Sequence, residues 1–335
     1  MTDTDTRTDQ RTDRRTDGRT DGRTDTGTGG QGRAPTAWTA WHLHLGTTAR
    51  SAHDRVLTEA VGPAVAELGG RPWFFIRYWQ GGPHLRLRVG DLAPGELPEF
   101  EKALGTRLAE AGRPRAHEEP LDAEAFREGA GVLTAGERGE NRSLRALLSP
   151  GVHEARYEPE YDRYGGRALM PANERLFHVS SRLVLALVPR IRGEAHRARL
   201  ALRGTMAAAA ALGGPAERAS YYAHGLAAWR GWATQAGYAE ELLDSVTTIA
   251  GDGGAAGVDP SAHGPFEGWH EAAGVLLDEV RSASPVPPGV ILSSHTHMLH
   301  NRLGLSMLEE LRTYAWLAHA FPAPAGSVAH PVPAG

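Results

Sequence analysis

The chain has 335 residues, 41% of them hydrophobic, a formal charge of −4 and no cysteine. That is enough to bury a full core as one large domain or two packed ones. The charge argues against nucleic-acid binding in bulk, though not against a local basic pocket, and the absent thiols exclude disulfides, zinc knuckles and a cysteine nucleophile.

Residues 1–33 repeat Thr-Asp-x-Arg-like units and hold no large apolar side chain after Met1, so they cannot offset chain entropy by burial and read as a disordered tail. Residues 34–322 read as one folded domain and 323–335 as a frayed end. Near Trp38 the stretch TAWTAWHLHL alternates as a strand does, with Trp41, Leu43 and Leu45 on one face and His42 and His44 on the other. A helix is expected over Ser51 to Leu68, with Gly62-Pro63 placed to kink or split it and Gly69-Gly70 to end it. Two strands follow, Trp73 to Trp79 and His84 to Val89, joined as a hairpin by Gln80-Gly81-Gly82-Pro83, and then a helix over Glu96 to Ala111.

Beyond Gly112 the pattern is helical, with helices expected over Pro171–Arg192, Glu194–Leu212, Ala216–Ala236 and Asn301–Ala320, and loops over 250–265 and 284–290. The fold class is therefore α+β: a small N-terminal sheet in β-α-β-β-α order, packed with helices, then a mainly helical C-terminal portion. No apolar run of about 20 residues and no signal-peptide pattern occurs, so the expectation is a soluble, cytoplasmic protein without membrane contact.

Three clusters carry chemistry. His84, Arg86 and Arg88 share one strand face, where like charges two residues apart repel unless an anion lies between them. In YEPEYDRYGG, residues 157–166, Pro159 and the paired glycines impose an irregular backbone around Arg163. SSHTHMLHNRLG, residues 293–304, enters the last helix through a turn dense in histidine. Each has a structural alternative: arginines over aromatic rings, Arg163 paired with Glu158, Glu160 or Asp162, and solvated histidines at a helix start.

The combination of WFFIRYWQGGPHLRLR, YEPEYDRYGG followed by ANERLFHVSS, and HMLHNRLG resembles the thiopeptide-type bacteriocin biosynthesis family, also the C-terminal elimination domain of lantibiotic dehydratases, over roughly residues 38–320. The resemblance implies that Arg86, Arg88, Arg163 and His297 form the catalytic group. It also places Arg77, His84, Tyr164, Ser294, His300, Asn301 and Arg302 at the substrate. It implies a precursor peptide with a leader as substrate and a glutamyl-tRNA-dependent glutamylating dehydratase subunit as partner. The reaction implied is loss of glutamate from glutamylated Ser or Thr to give dehydroalanine or dehydrobutyrine. No cofactor, metal or direct nucleic-acid contact is implied.

Arginine suits such a reaction. A carboxylate, with a pKa of about 4, leaves far more readily than hydroxide, whose conjugate acid lies at about 15.7, so the harder step is removal of the Cα proton. Fixed guanidinium groups can stabilise an enolate-like oxyanion and the departing glutamate together. Histidine, which ordinarily titrates near neutrality, is the natural proton carrier. Two departures stand out: Ser180-Ser181 replaces the Asp-Ser usual after LFH-x, and position 300 is a histidine where the family varies. The related pyridine synthases, which join two dehydroalanines in a formal [4+2] cycloaddition and expel the leader, remain the runner-up. Two readings from other classes are a metal site at His295, His297 and His300, against which no acidic residue falls in that window, and a leader-binding module using the open sheet edge.

Overall fold

The structure is a computed structural model that describes residues 36–134, 145–249 and 263–323. The expectations for 1–33 and, Ala323 apart, 323–335 lie outside the described residues. Alternating side chains build an antiparallel sheet from β1 (Trp38–His44), β2 (Trp73–Tyr78), β3 (His84–Gly90) and β4 (Gly151–Ala155), in the order β2-β3-β1-β4. β4 was not expected from sequence. It is a short edge strand whose residues are half-buried or exposed, so it lacks the alternation that marks a strand with one face in a core.

One sheet face carries Trp41, Leu43, Phe75, Leu85, Leu87 and Val89 into the main core. Fully burying each of the larger of these side chains contributes about 1.5–3 kcal/mol. The same core takes the buried side chains of one continuous helical run formed by α1 (Arg50–Val56), a π turn (Leu57–Val61) and α2 (Gly62–Ala66), with α3 (Leu97–Ala111) beside it. The irregularity expected at Gly62-Pro63 thus falls one turn earlier: Pro63 donates no backbone hydrogen bond, and the preceding turn takes the wider spacing.

Helix α4 (Ala123–Thr134) precedes β4, and the C-terminal portion runs α5 (Met170–Leu187), α6 (Glu194–Ala210), α7 (Pro215–Gln235), α8 (Glu240–Thr247), α9 (Glu267–Ala283), α10 (Pro288–Leu303) and α11 (Met307–Ala320). The histidine-rich stretch corrects the sequence reading, which made it a turn: it is helical throughout. α10 opens on Pro288 and stops at Gly304, whose φ of 79° any side chain would strain, and α11 starts afresh on a capping box between Ser306 and Glu309.

β2 is an edge strand, and its outward backbone groups are met by side chains. Trp73 contacts His178 Nδ1, the Phe75 N–H donates to Ser181 Oγ at 3.2 Å, and the Arg77 N–H donates to Asn301 Oδ1 at 2.9 Å. Asn301 Nδ2 returns a bond to the Arg77 carbonyl at 2.9 Å. These bonds fasten α5 and α10 to the sheet and position the face described next.

Candidate active site

Period-two alternation that sends leucines to the core sends the other residues of β1, β2 and β3 to the opposite face. The register sets them in rows: Phe74, Arg88 and Ala40; Ile76, Arg86, His42 and His153; Tyr78, His84 and His44. A second, smaller apolar cluster of Phe74, Tyr164, Met170 and Phe177, with Trp38, Tyr157 and Tyr161 packed on it, makes an aromatic floor on this side.

Residues i and i+2 of a strand rise roughly 7 Å, and two guanidinium groups at that separation would repel by about 2 kcal/mol at an effective dielectric of about 20. The aromatic floor offsets part of this. Arg86 lies 3.5 Å from the Tyr78 ring centroid, and Arg88 lies 5.4 Å from that of Phe74 and 5.5 Å from that of Tyr157. Such contacts are worth about 0.5–2 kcal/mol each. Arg88 is buried, and its Nε has no partner among the described residues. Burial, then the charge of Arg86, lowers Arg88 to about 9, with Arg302 acting in the same direction and Tyr157 and Glu160 opposing. Bringing an anion to this face would relieve both the desolvation of Arg88 and its repulsion from Arg86.

Arg163 projects from the YDRYGG turn, where Gly165 and Gly166 adopt positive φ. It pairs with Glu160 at 3.2 Å, as one sequence alternative foresaw, and its Nε reaches Ser294 Oγ on α10 at 3.4 Å. His297 lies one turn beyond Ser294, and Asn301 one turn beyond His297, so a single face of α10 runs from Arg163, past His297, to the edge of β2.

The His297 ring packs 5.1 Å from Trp229 and 6.1 Å from Trp232, and its Nδ1 lies 3.0 Å from Glu310 Oε1. The same carboxylate takes His300 Nδ1 at 3.1 Å. Burial pushes the Glu310 carboxyl up, but the charges and hydrogen bonds of the two histidines outweigh it and hold the group below the ordinary carboxylate range. Glu310 accepts from an Nδ1–H on His297, so that in the neutral imidazole Nε2 is the nitrogen with the lone pair. Sequence reasoning missed Glu310. The capping box before it marks a new helix, but nothing local shows that this helix returns its second glutamate to α10.

The remaining predicted residues divide. Tyr164 is buried on the aromatic floor, edge-on to Phe177, and Ser294 meets Arg163. His84 is fully buried on the arginine face. Arg77 points to the opposite sheet face, where its guanidinium is held by Asp54 at 2.6 Å and by the Arg302 carbonyl at 3.0 Å. Asn301 is engaged by the β2 edge, and buried His300 bridges Glu310 to the Thr205 hydroxyl at 2.8 Å. Arg302 is buried, donates from Nε to Ser181 Oγ at 3.0 Å and keeps Nη1 unpartnered among the described residues; burial lowers it to about 10, with Tyr164 opposing. Ser180, where the resemblance leads one to expect a carboxylate, instead bonds the Phe177 carbonyl of its own helix.

The histidine triplet of α10 does not form one group. His295 turns away to bond Asn173 Oδ1 at 2.7 Å between Tyr164 and Phe177, while His297 and His300 face Glu310. Among the described residues, no helix is long and apolar enough to cross a membrane.

Residues 38–321 match the family described as lantibiotic biosynthesis dehydratase, C-terminal. No curated protein matches the chain. Among solved structures, the chain is similar to the pyridine synthase TbtD from thiomuracin biosynthesis, with a TM-score of 0.59 and 19% identity over 84% of this chain and 97% of that one. It is also similar to the tRNA-dependent lantibiotic dehydratase MibB from Microbispora sp. 107891, with a TM-score of 0.53 and 22% identity over 86% of this chain and 28% of that one. TsrL aligns with a TM-score of 0.51 and 16% identity over 86% of this chain and 95% of that one.

Proposed function

The chain belongs to the lantibiotic dehydratase C-terminal family, and from that premise we propose that it eliminates glutamate from glutamylated Ser or Thr residues of a precursor peptide. The observation that carries this reading is the arginine pair over aromatic rings, together with Arg163 held on α10 one turn from a histidine backed by a buried carboxylate.

In the proposed step, His297 Nε2 takes the Cα proton, the Cα–Cβ double bond forms, and the Cβ–O bond breaks with its electron pair leaving on glutamate. Arg86 and Arg88 stabilise the enolate-like oxygen that develops as the proton departs, and Arg163 holds the leaving carboxylate. Glu310 fixes the tautomer of His297 and stabilises the imidazolium that forms, as a positioning residue. The substrate would come from a glutamyl-tRNA-dependent glutamylating partner, and the leader peptide would be held away from these groups.

A second reading is formal [4+2] cycloaddition of two dehydroalanines with leader release. What supports it is the fold, which the chain shares with the pyridine synthase as well as with the dehydratase. The two readings separate by mass. On incubation with a glutamylated precursor the proposed enzyme releases glutamate. Release of leader from a fully dehydrated, azole-containing precursor, with no action on the glutamylated one, would assign the cycloaddition instead.

A further inference from the structure

The arginine face of the sheet continues into a group of imidazoles that the proposed reaction does not use. His42 and His44 on β1 and His84 on β3 bring one ring nitrogen each to within 4.8 Å of one another. The His44 ring lies 4.3 Å from His84, and His42 lies 4.7 Å from His84. His44 is 2% exposed, and neither of its nitrogens has a hydrogen-bond partner among the described residues. Two orphaned polar atoms on one buried ring are costly, about 1–3 kcal/mol each, unless a ligand absent from the chain satisfies one of them.

We propose that His42, His44 and His84 bind a divalent first-row transition metal of the zinc type, with a fourth position left for an anion. Imidazole is a preferred ligand for zinc, copper and nickel, and three protein ligands with one open position form a common coordination set. The tautomers suit it. His84 Nδ1 lies 2.7 Å from the Gly82 carbonyl, which places the proton on Nδ1 and frees the Nε2 lone pair. His153, edge-on to His44 at 5.1 Å, is fixed in the same way by Nε2 against the Ser149 carbonyl at 2.8 Å, leaving Nδ1 as an additional donor.

Tetrahedral zinc with bonds of about 2.0–2.1 Å needs ligand nitrogens roughly 3.3 Å apart, so the rings must turn inward by about an ångström. His44 gives up no hydrogen bond in turning. The Gln80-Gly81-Gly82 turn lies over this ring, and a Cβ at Gly82 would stand 3.4 Å from its Nδ1, so the glycine leaves the approach clear. Arg86 contacts His84 Nε2 at only 3.4 Å, a weak bond that a metal can displace. Its positive charge opposes a dication and attracts an anion, so a filled site takes an anionic fourth ligand such as chloride or a peptide carboxylate.

The test is independent of the proposed reaction. Tag-free full-length protein, stripped with chelator, is titrated with Zn²⁺ by calorimetry and with Co²⁺ by visible absorption. We expect one equivalent bound, with an intense four-coordinate cobalt spectrum. Affinity should drop by at least about tenfold in both His44→Ala and the less buried His42→Asn, and stay unchanged in His297→Ala. Absence of stoichiometric binding to the wild-type protein, or equal affinity in the folded His42→Asn and His44→Ala variants, overturns the site. So does loss of binding in His297→Ala, which would move the metal to α10.

Discussion

Arg86 and Arg88 lie next to each other because the strand repeats every two residues, and they stay charged because guanidinium is too basic to lose its proton even when Arg88 is lowered to about 9. Their placement over Tyr78, Phe74 and Tyr157 reduces the repulsion between them. At the same scale, Glu310 is the residue on which His297 depends. In Glu310→Gln the carboxamide can no longer stabilise imidazolium, so kcat should fall by about 10²-fold or more with KM little changed. A purely structural role for Glu310 predicts instead a lowered melting temperature with wild-type kcat in the folded fraction. Steady-state kinetics beside thermal melts distinguish the two. Arg86, Arg88, Arg163 and His297 could be proposed from the sequence because each lies in an ordered motif. Glu310, thirteen residues beyond His297, could not, because its role arises only from the packing of α11 on α10.

At the scale of elements, the β2 edge explains how the site is assembled. Three side chains from two helices satisfy the outward backbone of this strand, and Asn301 does so in both directions. Removing it in Asn301→Ala leaves an N–H and a carbonyl of Arg77 unpaired, which should destabilise the fold by about 2 kcal/mol. Urea denaturation measures this, and a change below roughly 0.5 kcal/mol would show that α10 does not depend on the strand. The same arrangement leaves fewer backbone groups on the β2 edge open to an added strand. β1 to β3 were legible from alternation, and α5, α6 and α7 from helical period and terminal glycines. β4 was not, because its residues show no buried face, and α10 was misread because its buried positions include histidine, threonine and arginine in place of an apolar stripe.

Across the whole molecule, several histidines are buried neutral within the packed structure. His53 is lowered to about 3 by burial and by the charge of Arg77, with Asp54 opposing, and His295 is driven well below 6.5 by burial, Arg302 and Arg163. Each binds a proton in the unfolded chain near its ordinary value but not in the folded one. Their contribution to stability is therefore complete above about pH 6.5 and is lost as pH falls toward the folded values. The melting temperature should drop between pH 7.5 and pH 5, and His295→Gln should flatten that slope. An unchanged melting temperature across this interval would mean that these rings are not held neutral.

The central claim, that the arginine face expels glutamate, is tested most directly by single-turnover mass spectrometry on a glutamylated precursor, comparing the wild-type protein with Arg86→Lys. Lysine keeps the charge but not the planar fork, and loss of one preorganised donor from an oxyanion site lowers a rate by about 10²–10³. The wild-type protein should convert the glutamylated peptide to its dehydrated form with release of glutamate. Arg86→Lys, folded by circular dichroism, should slow this conversion by that factor while glutamylated peptide persists. Elimination by Arg86→Lys at the wild-type rate, or no elimination by the wild-type protein, would contradict the claim.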